Sequence, residues 1–160
     1  MIKDSRLNQR GFTLTEILVV LGLLIIVSGF ALVVSMDSYR RYNFRNEQNL
    51  LLGVLLKARS QAISNINQKP HGVHLDQAAV KYTLFQGSPF AGRPAADSNL
   101  DITYNSNSAY VLTGLTDVIF SQLTGQPNAS GAVTLDDHIH PVFNICINAE
   151  GQINVKASCP

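Results

Sequence analysis

The chain has 160 residues, of which 46% are hydrophobic and only 14% charged, with a formal net charge of +1. Soluble domains average about 25% charged residues, so one stretch must be unusually apolar, and the length suits one modest domain better than two ordinary ones. The apolar content excludes a disordered chain, two cysteines are too few for a disulfide-built scaffold, and residues 70–160 hold three basic residues against seven acidic, a balance of −4 that argues against a basic nucleic-acid-binding domain there.

Residues 1–10 carry Lys3, Arg6 and Arg10 against Asp4. After Gly11-Phe12-Thr13-Leu14-Thr15-Glu16 comes an uninterrupted apolar run, residues 17–36, with no charge and no proline. As a helix rising about 1.5 Å per residue, such a run spans about 30 Å, the thickness of a bilayer's hydrocarbon core. A soluble core helix is seldom apolar on every face for that length. A secretory signal peptide would be shorter and would end at a small-residue cleavage site. Asp37-Ser38-Tyr39-Arg40-Arg41 offers no such site, and no cysteine stands near for a lipid anchor, so the run is expected to remain in the mature protein. Lys3, Arg6 and Arg10 precede it and Arg40, Arg41 and Arg45 follow it, a tie that leaves its orientation undecided by charge. Glu16 is the one carboxylate at its mouth. A charge of that kind costs about 2.5–3.5 kcal/mol at mid-membrane and less near the edge, so a plain headgroup-level position competes with a functional one.

The stretch Arg10-Gly11-Phe12-Thr13-Leu14-Thr15-Glu16 followed by some twenty apolar residues resembles the cleavage and methylation signal of type IV prepilins and pseudopilins. The resemblance implies that a prepilin peptidase cuts between Gly11 and Phe12 and methylates the new amine of Phe12. It also implies that Glu16 meets the Phe12 amine of a neighbouring subunit when helices pack side by side. A buried carboxylate without a partner is strongly disfavoured, so such a pair would set register more than it adds stability. Thr15 stands where the family usually has a hydrophobic residue. The proline that many major pilins carry about twenty residues into the mature helix is absent, with Val33 near that place, which would leave any loosening to Gly22 and Gly29.

Beyond the run, Leu51, Leu55, Ala58, Ala62 and Ile66 recur at helical spacing, with Leu52, Leu56 and Ile63 widening the stripe. Arg45, Asn46, Glu47, Gln48, Lys57, Arg59 and Gln61 supply the polar face, and the first proline is Pro70. The pattern predicts one helix from Phe12 to about Asn67. Its outer half must bury a stripe against the rest of the chain, because the spacing does not keep the heptads of a free coiled coil.

From residue 70 onward, short alternating runs separated by turn signals predict strands at 71–75, 80–86, 100–104, 109–113, 118–123, 132–136, 142–148 and 152–156. Gly151 ends a hairpin signal at a position suited to positive φ. Asn128-Ala129-Ser130 fits a glycosylation acceptor but reads better as turn chemistry. The expected class is α+β: a long N-terminal helix, with a transmembrane half and an amphipathic half, packed against a mostly antiparallel sheet.

Ala58-Arg59-Ser60-Gln61-Ala62, together with the closing segment from Ile145-Cys146-Ile147 through Gly151 to Cys159, resembles the H-type minor pseudopilins of type II secretion and the FimT and FimU minor pilins. The middle, roughly 76–135, carries no specific motif. The implied organisation is a leader at 1–11, a transmembrane and assembly helix at 12–36, its amphipathic continuation at 37–69 and a β-rich head at 70–160. The implied partners are other pilin subunits, the prepilin peptidase and the inner membrane, with the head outside the cytoplasm. Cys146 and Cys159 are an even pair near the end of an exported chain and read as a disulfide; two free thiols in a cytoplasmic protein is the alternative.

Other chemistry has weaker footing. His138 and His140, two apart beside Asp136 and Asp137, would share a face if they lay on a strand, yet no third metal ligand is fixed by spacing, and His71 and His74 are three apart. The two aspartates could assist a calcium ion, but without the pattern of the calcium-binding pseudopilins. No nucleophile elbow or phosphate loop is present, so the expectation is a structural subunit without catalytic residues, cofactor or metal. The competing function is DNA uptake of the FimT type, which uses a Gly-Arg-x-Arg element. Gly151-Gln152-Ile153-Asn154 lacks both arginines, so nucleic-acid binding is disfavoured.

Overall fold

In a computed structural model, residues 12–159 are described, without the side chains of residues 30–35. The chain forms two compact units, residues 1–41 and 42–160. One helix, α1, runs from Leu14 to Ile63 through both. It begins at Thr13, whose hydroxyl accepts the Glu16 amide at 3.3 Å. Ser or Thr three residues before Glu is a capping-box pattern, and a carboxylate in the first turn also suits the helix dipole.

Within the second unit the amphipathic stripe is buried as expected. Leu51, Leu55, Ala58 and Ala62 have no exposed surface, and Phe44 and Val54 join them. Ile66, Leu56 and Ile63 stay more than 40% exposed, so the stripe is narrower than the sequence pattern suggested. The helix also stops earlier than Asn67. Asn65 takes a left-handed conformation, φ 53°, and its amide bonds to the Ala62 carbonyl, which also accepts the Leu123 amide at 3.0 Å. Asn tolerates that conformation better than most residues, and Leu123 satisfies a carbonyl that the helix end would leave open.

The eight expected strands all form: β1 (His71–Asp76), β2 (Lys81–Gln86), β3 (Ile102–Asn105), β4 (Val111–Gly114), β5 (Asp117–Phe120), β6 (Gly131–Asp136), β7 (Phe143–Ile147) and β8 (Ile153–Lys156). They make two antiparallel sheets of four, ordered β3-β2-β1-β5 and β4-β6-β7-β8, rather than the one sheet the turn signals implied. A short α2 (Ala95–Ser98) interrupts the β2–β3 connection. Val73, Leu75, Tyr82, Leu84, Val118 and Phe120 from the first sheet and Leu112, Val133, Leu135, Ile145 and Ile147 from the second join the α1 stripe in one apolar cluster.

Close approach fixes part of this packing. A Cβ on Gly72 would lie 2.7 Å from the Phe85 ring and 2.8 Å from the Val118 carbonyl oxygen, whereas Gly53, inside α1, has nothing within 4 Å of that position. Gly72→Ala is therefore expected to destabilise the chain by about 1–3 kcal/mol, the usual cost of overpacking. Gly53→Ala is expected to stabilise it by up to about 1 kcal/mol through helix propensity. Paired thermal melts of the two variants check both signs.

Candidate functional site

The N-terminal segment is the first candidate. Gly11 and the leader 1–11 lie outside the described residues. Phe12 is 79% exposed, and Phe12, Glu16, Ile17, Val20 and Leu21 line one depression of about 220 Å³. Phe12 and Glu16 thus share one face of the helix start. Among the described residues no helix is long and apolar enough to cross a membrane; the apolar run 17–36 includes the side chains at 30–35 that are not described.

The closing hairpin is the second. Cys146 on β7 and Cys159 are joined by a disulfide, with Cα atoms 5.4 Å apart. The β7–β8 turn is closed by the Gly151 amide to the Asn148 carbonyl at 3.0 Å, with Gly151 at φ 78°. The Asn148 side-chain oxygen adds a bond from the Gln152 amide at 2.7 Å. Gln152 and Asn154 are exposed, and Lys156 is the sole cation of β8.

The histidines separate into distinct structural roles. His71 is buried, and its Nδ1–H donates to the Lys69 carbonyl at 3.0 Å, which fixes its tautomer; burial pulls its pKa below the ordinary value, with the hydrogen bond opposing in part. His74 is bonded to Asp117 across the β1–β5 pairing at 2.7 Å and stacks on Phe90 at 3.9 Å. His138 and His140 do not lie on a strand. Asp136 and Asp137 spend their Oδ1 atoms on the amides of His138, Ile139 and His140, bending the chain into a turn after β6. The His140 ring bonds Asp137 at 2.6 Å and stacks on Phe44. Burial opposes ionisation of Asp137, but the bonds from the His140 ring and the two amides outweigh it and hold its pKa below the usual range. Among the described residues no three His, Cys, Asp or Glu side chains are grouped to hold a metal ion. Asn128 is likewise engaged, its side-chain oxygen accepting the Ile119 amide at 2.8 Å, as a turn residue requires.

A polar knot in the β2–β3 connection had no signal in the sequence pattern. The Arg93 guanidinium lies 4.7 Å and 4.6 Å from the ring centres of Phe85 and Phe90, and grips Asp101 through two bonds of 2.7 Å. It also donates to the carbonyls of Phe90 and Gln86. Beside it, buried Asp97 accepts from Lys69 at 2.5 Å and Gln86 at 2.7 Å, and these bonds, Lys69 first, hold its pKa below the usual range.

A family model described as the prokaryotic N-terminal methylation motif matches residues 6–32. The structure is similar to that of the type IV minor pilin FimU of Pseudomonas aeruginosa, with a TM-score of 0.53 at 15% identity, over 70% of this chain and 91% of that one. No curated protein matches the chain. The N-terminal motif and the fold are thus each similar to features of type IV pilin-like proteins.

Two outcomes follow from the head's chemistry. His71, Asp97 and Asp137 all have depressed pKa values in the folded chain, so the unfolded chain binds protons first and acid favours unfolding. Stability is expected to fall as pH drops below about 6.5, where unfolded histidine protonates, and again below about 4 for the aspartates. His71→Gln is expected to flatten the first limb and leave the second, as read from urea midpoints against pH. Reducing the disulfide, which spans a sequence separation of 13, is expected to cost about 3 kcal/mol by the same measurement.

Proposed function

We propose that this type IV pilin-like chain is a minor subunit of a type IV pilus or of a type II secretion pseudopilus. It is made as a single-pass inner-membrane precursor, with residues 12–36 in the bilayer and the head outside the cytoplasm. The prepilin peptidase cuts between Gly11 and Phe12 and methylates Phe12. The mature chain then leaves the membrane by exchanging lipid contacts for the helices of neighbouring subunits. Its work is mechanical, and it needs no cofactor.

The observation that carries this reading is the methylation motif over residues 6–32, which overlaps the start of α1, together with an outer half of that helix that joins the core of an eight-stranded head. Glu16 gains its role from the same arrangement. On the apolar face it shares with Phe12, an ionised carboxylate is costly unless a cation meets it, and a methylated terminal amine keeps its charge. The disulfide supports an oxidising compartment for the head. The closing hairpin supports a subunit role over DNA capture, since several cations act together in phosphate binding and β8 offers only Lys156.

Quantitative mass spectrometry of sheared native filaments tests the reading. It is expected to find chains that begin at N-methylated Phe12, at a small fraction of the major subunit. Glu16→Ala is expected to reduce recovery in filaments about tenfold or more, the scale set by one unpaired buried charge. Full-length chain with its leader uncut, never found in a filament, would overturn the proposal.

A further inference from the structure

Two arginines of the second unit, Arg59 and Arg93, are treated very differently. Arg93 has acceptors on every side, whereas Arg59 has none. The Arg59 Nε–H is shut off from water and makes no hydrogen bond, and no carboxylate forms an ion pair with its guanidinium among the described residues. Glu150, next to Gly151 in the chain, is exposed and does not pair with it. Buried polar groups are nearly always satisfied, so an orphan cationic donor marks a place where an acceptor comes from elsewhere.

The fold makes room for this side chain. Ala58 and Ala62, on either side of it in sequence, are fully buried and hold this turn of α1 close to the sheets. The Arg59 stem lies over two glycines in positive-φ turns. A Cβ on Gly125 would stand 3.4 Å from Arg59 Cγ, and one on Gly151 would stand 3.2 Å from Arg59 Nε and 2.0 Å from the Gly125 carbonyl oxygen. The slot thus has a floor of backbone. It opens into a cleft of about 270 Å³ lined by Leu56, Arg59, Ser60, Ile63 and Ser64, whose apolar walls Leu56 and Ile63 are 46% and 41% exposed.

We propose that this cleft is a docking socket for an acidic side chain of an adjacent filament subunit, with Arg59 as the charge partner, Ser60 and Ser64 as hydroxyl donors, and Leu56 and Ile63 as apolar walls. The proposal rests on the filament role above. One cation between apolar walls suits a single carboxylate on a protein surface. A polyanion such as DNA needs a row of cations, and the charge of −4 over residues 70–160 would repel it. Charge-assisted, water-excluded pairs of this kind fix which neighbour fits more than they add raw affinity.

The test uses the full-length chain in its native host, with a photo-crosslinking residue at exposed Lys57 beside the cleft, alone and combined with Arg59→Gln or Arg59→Lys. Filament recovery is expected to fall about tenfold or more for Arg59→Gln, the scale of a charged hydrogen bond, and less for Arg59→Lys. The melting temperature of the detergent-solubilised chain is expected to stay within about 2 °C of the parent, because Arg59 has no partner inside the chain to lose. With Arg59 present, the crosslink is expected to land on a peptide of another filament subunit that contains Asp or Glu. Crosslinks only to lipid or to the chain itself, or an Arg59→Gln chain recovered as well as the parent, overturn the socket while leaving the filament role standing. A parent chain absent from filaments overturns both.

Discussion

Four side chains on one face of α1, Leu51, Leu55, Ala58 and Ala62, have no accessible surface, and strands of both sheets cover them. Burial of a leucine is worth about 1.5–3 kcal/mol, and the two alanines let backbone come near where a longer side chain would hold it off. The outer half of α1 is thereby made part of the same core as both sheets. Everything the head offers, from the turn at Gly125 to the closing hairpin, is built outward from that seam.

Polar interactions then fix the connections that the seam leaves loose. The 87–101 connection is long enough to wander, yet Arg93 between Phe85 and Phe90, with Asp101 and two carbonyls as acceptors, leaves it few alternatives. Asp97 is held by Lys69 and Gln86 beside it. Such networks are costly when half made and rigid when complete, which is why a satisfied Arg93 and an unsatisfied Arg59 carry different meanings in one small domain.

Strand positions and the helical stripe were readable because both depend on local periodicity. Leu51, Leu55, Ala58 and Ala62 repeat at helical spacing, and runs such as His71–Asp76 lie between turn residues. The helix ends before Asn67 because Asn65 and the Leu123 amide, far apart in sequence, stop it together. The division into two sheets was hidden for a similar reason: β1 pairs with β5 across four intervening elements, and that pairing also unites His74 with Asp117. The N-terminal motif over residues 6–32 is legible as one contiguous pattern, whereas the Arg59 slot depends on two glycines at 125 and 151 that no local pattern ties to residue 59.

The late position of β7 and β8 has a consequence for biosynthesis. Ile145 and Ile147 finish the cluster around α1 residues that left the ribosome long before them. Until β7 has been synthesised, the nascent polypeptide carries an apolar seam with part of its cover missing, the kind of surface that is prone to aggregation and meets chaperones. The apolar seam of α1 is therefore fully covered only once β7 is in place.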